Sequence, residues 1–387
     1  MGRSLGILIV AMLVVSTAHA NWAVLNRFQE TITRAEFDAL LTTVYCPSGA
    51  LTNYLTYTTN AVTVFSTPAK TNTLFTLRFG TTGRPQPATL LRKIVLDPGH
   101  IGGEWARMEE RYFVRGKDRP VQEAVLNLTV ARLLRSRLQA AGVTVFMTKD
   151  DLRPVTTKRP DDFRDQVDAT MIPVRVNDSY SPLEKEAALG DTRRRLLEQL
   201  FYRGAEIIAR AKLINDWYEP DLTICLHFNA VEWNERYELV DDNRLVVFVH
   251  GNYLPGELTD DVQKLRLFAK LLERSHAVEL AAAESVATAL AQATKLPAVQ
   301  YAPGAGATRV GTNAYIYARN LAANRLINGP VIFLEPYYMN NKTVYQRIQL
   351  GDYDGEKIVA GQSYRSIFRE YADAVVAGLR PFLAAPR

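Results

Sequence analysis

The chain has 387 residues, of which 47% are hydrophobic and 22% are charged, an ordinary balance for a globular protein. Lysines and arginines number 46 against 41 aspartates and glutamates, a mild excess that is spread along the chain. This charge suits an acidic polymer or surface, and the lack of an aromatic-and-basic pattern excludes a nucleic-acid-binding module. The length fits one large domain, or one domain with a small companion.

Residues 1–20 have the pattern of a secretory signal peptide. A basic start at Arg3 precedes an apolar stretch, Leu5 to Val15, and the small-x-small sequence AHA ends at Ala20. The apolar stretch is short for a membrane span, so an uncleaved anchor is the weaker alternative. We expect cleavage after Ala20, no stable membrane span afterwards, and a periplasmic or secreted protein that begins near Asn21.

Residues 21–90 are predicted to form a small α+β unit of unknown role. The stretch TRAEFDALLTTVY favours a helix with Thr33 as its N-cap. Two stretches rich in Thr, Tyr, Val and Phe, LTNYLTYTTNAVTVFST and NTLFTLRFG, favour strands. Residues 81–89 contain Gly and Pro and indicate a linker. The unit carries no motif, so it either packs against the main domain or binds something.

The two cysteines, Cys46 and Cys225, leave two interpretations open. An exported protein can oxidise such a pair to one disulfide. Cys225 lies within the apolar run LTICLHF, where a buried free thiol is equally plausible. Their wide separation excludes a zinc site built on cysteines.

The main domain, residues 91–387, alternates strand-like and helical segments. Strands are predicted at KIVLD, VTVFMT, DLTICLHFNA, RLVVFVHG, NAYIYAR and GPVIFLE. A helix is predicted from Val121 to Gly142, a short one at AAESVATALAQAT, and a last one from about Ser363 to Leu379. The apolar stripe of the first helix is predicted to comprise Val121, Val125, Leu128, Leu133 and Leu134. The alternation predicts an α/β fold: a mostly parallel twisted sheet with helices on both faces.

Two insertions interrupt this alternation. Residues 151 to about 202 are polar and charged, and a long helical run continues beyond them. Residues 252–276 add a probable helix. Long insertions are commonly lids or binding loops, and plain surface decoration is the alternative.

Titratable residues follow three of the predicted strands. His100 follows KIVLD, His227 follows DLTICL, and Glu335 follows GPVIFL, while Glu123 opens the first helix of the domain. In a sheet whose strands are mainly parallel, these strand ends converge on one crevice. The sequence therefore predicts that two histidines and two glutamates are neighbours.

Two histidines and a carboxylate with an open fourth position form the ligand set of a hydrolytic zinc site. Such a metal makes water nucleophilic near neutral pH, and a further carboxylate can serve as the general base. The set suits amide hydrolysis. Each residue alone has another explanation, since a strand-end histidine is usually a hydrogen-bonded loop residue and an early helical Glu often complements the helix dipole. The sharper HExxH motif is absent.

Four motifs from about Lys93 to the C-terminus resemble those of the zinc-dependent N-acetylmuramoyl-L-alanine amidases of bacterial cell walls, the Amidase_3 type. KIVLDPGHIGG resembles the strand of that family that ends in D-x-G-H-G-G, and EAVLNL resembles its E-x-x-x-N-L helix start. TICLHFNA resembles its S-I-H-A-N-A, and VIFLEPYYMNN resembles its V-L-V-E-x-G-F-x-S-N. The motifs occur in the order of the family, and together they are far more specific than any one.

The resemblance implies a zinc amidase domain over residues 91–387 and a role for each matching residue. His100, Glu123 and His227 would be the Zn²⁺ ligands. Glu335 would be the catalytic glutamate. The supporting or substrate-contacting residues would be Asp97, Asn229 and, in the stretch YARN, Arg319. His250 has no counterpart in the family pattern, and we expect it to be a structural histidine.

The implied activity is hydrolysis of the amide between N-acetylmuramic acid and L-alanine in peptidoglycan. The resemblance implies a protein activator as a partner. Because relatives in the family are held off by a helix over the metal, it also implies an autoinhibitory role for one of the two insertions. The chain departs from the family after His100, where Ile101 replaces a glycine and EWARMEERYF replaces the usual tail. This departure keeps two alternatives open: another zinc amide hydrolase or peptidase acting on wall peptides, and a non-catalytic wall-binding relative.

Overall fold

The computed structural model describes residues 20–82, 90–171, 180–302 and 304–383. Residues 1–19, which belong to the predicted signal peptide, and most of the predicted linker lie outside these ranges. Within them the strands are Leu55–Tyr57 (β1), Ala61–Phe65 (β2), Thr73–Arg78 (β3), Lys93–Pro98 (β4), Tyr112–Phe113 (β5), Val121–Gln122 (β6), Thr144–Met147 (β7), Leu222–Leu226 (β8), Leu245–Val249 (β9), Thr308–Arg309 (β10), Ile316–Ala318 (β11), Val331–Pro336 (β12), Glu356–Val359 (β13) and Gln362–Arg365 (β14).

The α-helices in the same ranges are Arg34–Leu40 (α1), Glu123–Ala140 (α2), Arg164–Met171 (α3), Pro182–Gln199 (α4), Glu206–Leu213 (α5), Asp261–Glu273 (α6), Ser275–Thr294 (α7), Ala322–Leu326 (α8), Lys342–Gln349 (α9) and Ile367–Leu379 (α10). Short 3-10 helices are Trp22–Phe28, Ala50–Tyr54, Gly103–Ala106, Pro160–Phe163, Glu257–Thr259 and Arg380–Phe382, and π-helical turns are Leu41–Tyr45, Leu200–Ala205 and Ile214–Tyr218. None of the helices in the described ranges is long and apolar enough to cross a membrane.

The central sheet has seven strands in the order β10-β11-β9-β12-β8-β4-β7. Strands β7, β4, β8 and β12 are parallel neighbours, whereas β9 pairs with β12 in the antiparallel sense. Strand β11 is parallel to β9 and therefore also runs against the first group. The ends of β9 and β11 thus lie at the opposite edge of the sheet from the ends of β4, β8 and β12.

Helices cover both faces of this sheet, and the predicted α/β class is confirmed. Helices α2, α7 and α10 pack together on one face. Helices α5 and α8 contact each other on the other face, where a second apolar cluster joins the sheet residues Cys225, Phe248 and Phe333. The central strands β8 and β9 are buried along their whole length, as expected for a sheet covered on both sides.

Helix α2 forms largely as its sequence indicates, and Gly142 follows it in a left-handed conformation, φ 84°. Its apolar stripe differs from the prediction at two positions, because Val121 lies in β6, before the helix begins, and Val125 is 38% exposed. The stripe that packs on the sheet begins one residue after Val125, and its residues repeat about once per helical turn. It consists of Leu126, Val130, Leu134 and Leu138.

The N-terminal unit contains α1 and the antiparallel sheet β1-β2-β3. Thr33 is the N-cap of α1 as predicted, and it forms a reciprocal capping box with Glu36. The unit packs on helix α6, where Trp22 and Phe37 both contact the ring of Phe268. Its buried side chains are continuous with the core of the main domain. The role of the unit and the position of the domain boundary stay predictions.

The structure corrects two predicted helices and places both insertions. Helix α10 begins at Ile367 because residues 362–365 pair as β14 with β13. Helix α7 is longer than predicted, since it begins at Ser275 and follows α6 directly.

In the first insertion, residues 172–179 lie outside the described ranges, and residues 182–218 form one helical run with two π-helical turns. Cys46 and Cys225 are buried free thiols.

Candidate metal centre and cleft

Three neighbouring strands carry the predicted site residues to one edge of the sheet. Pro98 of β4 pairs with Leu226 of β8, and Leu226 pairs with Leu334 of β12. His227 and Glu335 are therefore adjacent across the sheet, and the loop with His100 leaves β4 beside them. This convergence is the arrangement that parallel strand ends produce.

Close packing explains the glycine before His100. A Cβ atom on Gly99 would lie 2.0 Å from Cε1 of His227, so only glycine allows the two loops to approach each other here. His100 itself has a left-handed backbone, φ 64°. A strained non-glycine residue at a strand end is common at functional sites.

The side chains of His100, Glu123 and His227 form one cluster, in which the possible ligand atoms all lie within 4.8 Å of one another. His100 Nε2 is 3.2 Å from Glu123 Oε2, and His227 Nδ1 is 3.0 Å from Glu123 Oε1. Burial raises the pKa of Glu123, but the two histidines outweigh this effect and hold its pKa well below the usual range. The cluster therefore contains an ionised carboxylate between two imidazoles.

The spacing of the cluster fits a metal ion. Tetrahedral zinc with bonds of 2.0–2.1 Å places neighbouring donor atoms about 3.3 Å apart. Each oxygen of Glu123 lies near this distance from one imidazole nitrogen, at 3.2 and 3.0 Å, and the nitrogen–oxygen donor set is one that zinc accepts. The three residues predicted as ligands could thus hold one ion with little rearrangement.

Further residues orient the cluster, and they were not identified from the sequence. Glu109 Oε2 lies 2.6 Å from Nδ1 of His100, so it fixes the ring with Nε2 facing Glu123. The ring of Phe333 stacks on His227 with the centroids 4.1 Å apart. Arg111 Nε lies 3.2 Å from Glu123 Oε2. Glu109 and Arg111 belong to EWARMEERYF, and the departure of this loop from the family pattern was the only signal that could have indicated them.

Asp97 lies beneath the cluster in a buried ion pair. Arg210 Nη1 is 3.3 Å from Asp97 Oδ1, and the same guanidinium donates to the carbonyl of His100 at 2.9 Å. Burial raises the pKa of Asp97, but Arg210 and the hydroxyl of Thr148 outweigh it and lower the pKa. Glu206 accepts a hydrogen bond from Arg210 Nε at 2.8 Å. The network ties helix α5 to the histidine loop, a contact that no local sequence pattern shows.

Glu335 ends β12 next to His227. Burial raises its pKa to about 7, and the negative charge of Glu123 acts in the same direction. No side-chain hydrogen bond or ion pair to Glu335 is present among the residues that the structure describes. A carboxyl group with such a pKa can accept and return a proton near neutral pH.

Arg319 and Asn229 lie in different surroundings from the cluster. Arg319 follows β11 and lines the same cleft, with its guanidinium 5.5 Å from the ring centre of Phe248. The side-chain oxygen of Asn229 accepts a hydrogen bond from Ala230 N at 2.8 Å and so shapes its own loop. The fully buried His250 bonds to Tyr253 Oη through Nε2 at 3.1 Å, at the other edge of the sheet.

A cleft of about 560 Å³ opens over the cluster. Helix α5 and the π-helical turn before it contribute Tyr202 and Arg203 to one wall. The segment around Leu254 and the segment from Arg319 to Ala323 contribute to the other parts of its lining. The first insertion therefore reaches the cleft through its C-terminal end. The second insertion reaches the cleft through the segment that precedes α6, whereas α6 itself packs on the N-terminal unit.

Comparisons with known proteins find one family model and several solved structures that are similar to this chain. The family model for N-acetylmuramoyl-L-alanine amidase, Amidase_3, matches residues 94–368. Among solved structures, the amidase Ami1 of Mycobacterium abscessus is 19% identical, with 76% of this chain and 99% of that chain covered and a TM-score of 0.37. The CwlD amidase of Clostridioides difficile, solved in complex with the GerS lipoprotein, is 13% identical, with coverages of 75% and 98% and a TM-score of 0.39.

The amidase AmiC2 of Nostoc punctiforme is 14% identical, with coverages of 76% and 97% and a TM-score of 0.38. A comparison with curated protein sequences finds no significant match. The family model spans well over half of the chain and includes every residue of the cluster as well as Glu335. On this ground the chain belongs to the Amidase_3 family of N-acetylmuramoyl-L-alanine amidases.

Proposed function

We propose that this protein is an exported, zinc-dependent N-acetylmuramoyl-L-alanine amidase that acts on peptidoglycan. The observation that carries the proposal is the convergence of His100, Glu123 and His227 beside the buried Glu335 in one open cleft. Family membership supports the same activity. The reaction is hydrolysis of the amide between the lactyl group of N-acetylmuramic acid and L-alanine.

His100, Glu123 and His227 are the proposed metal ligands. Zinc, when bound there, supplies Lewis acidity that polarises the scissile carbonyl and makes water nucleophilic near neutral pH. Glu109 holds His100 in the tautomer that presents Nε2 to the ion, because its carboxylate engages Nδ1. The ion pair of Arg210 with Asp97 keeps the His100 loop in place.

Glu335 is the proposed general base. Its carboxylate accepts a proton from the attacking water and returns it to the leaving nitrogen of L-alanine. Burial and the charge of Glu123 raise the pKa of Glu335 in the absence of a metal, and a bound Zn²⁺ would lower it, so that the carboxylate form would accept the proton. Arg319 lines the cleft and is proposed to contact the substrate or one of its carboxylates.

Export follows from the signal-peptide pattern of residues 1–20 and agrees with a substrate that lies outside the inner membrane. We propose cleavage after Ala20 and action in the periplasm or in the medium. A protein activator stays a prediction, as does an autoinhibitory role for either insertion.

The test measures zinc content and reaction products on the mature protein and two variants. Wild type is expected to bind one zinc ion and to release intact stem peptides from glycan, as detected by mass analysis of muropeptides. His227→Ala is expected to lose both the zinc and the activity. His276→Ala, which changes a histidine outside the cluster, is the control and is expected to keep both.

Two results would contradict the proposal. Products cut within the stem peptide would identify a wall peptidase instead, which the unusual loop after His100 keeps as the alternative. Failure of wild type to bind zinc at neutral pH, with metal supplied, would leave a non-catalytic wall-binding relative.

A further inference from the structure

Three aromatic side chains form a surface beside the cleft, named here the aromatic patch: Phe113, Trp233 and Tyr237. The ring of Trp233 lies 5.0 Å from that of Phe113 at 74°, and 6.2 Å from that of Tyr237. Tyr237 is 70% exposed, and the other two rings are half-buried. Neither Trp233 nor Tyr237 belongs to a buried core cluster, so packing alone does not account for the patch.

The aromatic patch is continuous with the metal centre. Arg111, which contacts Glu123 at 3.2 Å, is followed two residues later by Phe113. Arg111 continues the pairing of β5, because Glu123 N donates to the carbonyl of Arg111 at 3.2 Å, and side chains two residues apart in extended chain share a face about 7 Å apart. Phe113 also pairs across to Val121, two residues before Glu123. The aromatic patch therefore begins at a distance from the proposed ligands that is comparable to the width of one sugar ring.

A turn that is fixed by hydrogen bonds keeps the side chain of Tyr237 exposed to solvent. The side-chain oxygen of Asn234 accepts hydrogen bonds from Arg236 N and Glu238 N at 3.1 and 3.0 Å, and Tyr237 has a left-handed backbone, φ 53°. Arg115 Nη1 donates to the carbonyl of Tyr237 at 2.8 Å. Several contacts thus maintain an exposed ring in a costly conformation, as is common where a side chain serves binding.

We infer that the aromatic patch is a subsite for the glycan strand, on which sugar rings of the substrate stack. This inference rests on the proposed function, because the amide to be cleaved joins the peptide to a sugar. The faces of aromatic rings carry partial negative charge and attract the positively polarised C–H face of a sugar ring. Asn234, Glu238 and Arg115 surround the rings with groups that can bond to hydroxyl and acetamido groups.

The two parts of the substrate, glycan and stem peptide, differ in charge. The glycan sugars offer few charges and suit the aromatic side of the cleft. The stem peptide carries carboxylates, which Arg203 and Arg319 in the lining of the cleft can bind.

The experiment compares the full mature protein, loaded with zinc, with a Trp233→Ala/Tyr237→Ala double variant on two substrates. One is a single muramoyl sugar that bears a stem peptide, and the other is a glycan strand that bears the same peptide. The double variant is expected to raise KM for the strand roughly five- to ten-fold, with kcat and the single-sugar KM unchanged. Trp217→Ala, which removes a 78% exposed aromatic side chain elsewhere, is the control and should change neither KM.

Binding of peptide-free glycan strands, followed by isothermal titration calorimetry, separates this inference from the proposed function. Strand binding by wild type that the double variant loses would support the subsite even if no hydrolysis were seen. Hydrolysis with equal KM values in wild type and double variant would overturn the subsite and leave the amidase function standing. Equal changes on both substrates would also overturn it, because they would show a general disturbance of the site.

Discussion

The two edges of the central sheet each carry histidines at strand ends, yet the two environments differ. His100 and His227 follow β4 and β8, face Glu123, and border an open cleft. His250 follows β9 and is fully buried. Burial, then the positive charge of Lys270, holds the pKa of His250 well below its usual value, so it stays neutral. A histidine at a strand end is therefore a ligand candidate only where a carboxylate and open space meet it.

The difference arises from strand direction and from the N-terminal unit. Because β9 runs against β12, His250 emerges at the edge away from the cluster. The chain of the N-terminal unit then covers it: Asn252 N and Tyr253 N bond to the carbonyls of Val44 and Tyr45, each at 2.7 Å. The edge that carries His250, called here the sealed edge, stabilises the fold. The edge that carries His100 and His227, called here the open edge, borders the cleft and is available for chemistry.

The strongest test of the open edge is Glu335→Gln. The amide cannot take the proton from water, so kcat is expected to fall by about 10²–10⁴-fold. Zinc content and melting temperature should stay at their wild-type values, because Glu335 is not one of the proposed ligands. Glu186→Gln, on the exposed surface of α4, is the matched control. Activity within ten-fold of wild type would remove Glu335 from the mechanism.

The sealed edge is tested through Glu279, which faces Lys270 at 3.9 Å and accepts hydrogen bonds from His250 N and Val331 N. Burial raises its pKa from 4.5 to about 7, and Glu273 adds to the increase, while Lys270 opposes it. The folded state thus keeps a proton that the unfolded state has already lost. Stability is therefore expected to fall as pH rises from 4.5 to 7.

Glu279→Gln should remove this pH dependence, which amounts to at most about 3 kcal/mol in the free energy of unfolding. Urea unfolding of wild type and variant at several pH values between 4.5 and 7 measures it. Glu284→Gln on the same helix is the control and should retain the wild-type slope. A difference between wild type and Glu279→Gln that is constant across this window would refute the assignment.

The smallest expected effect concerns the orientation of His100. Glu109→Gln replaces the carboxylate that engages Nδ1 of His100, and zinc affinity should weaken about 10- to 100-fold. Competition with a chelator measures the change, and excess zinc should restore most of the activity. Glu110→Gln, which changes the exposed residue next to Glu109, is the control. Equal zinc affinity in the two variants would show that Glu109 does not position the ring.

Much of the fold and of the candidate site could be predicted because both depend on local patterns. Alternating strands and helices indicated the α/β class, and polar residues directly after buried strands indicated His100, His227 and Glu335. Glu109 and Arg210 could not be found in this way, since their partners lie across loops or more than a hundred residues away. The exposure of Val125 was missed because a shift of one residue rotates a helix face by about 100°.

The sequence by itself determined which residues are candidate metal ligands, where strands end, and the family to which their order belongs, because these properties follow from residue type and short spacing. Only the tertiary structure decided the direction of β9, and with it the burial of His250 beneath the N-terminal unit. It also decided the aromatic patch, which joins Phe113 to Trp233 and Tyr237 from a distant loop. Such features depend on long-range pairing, which the packing of the whole sheet selects.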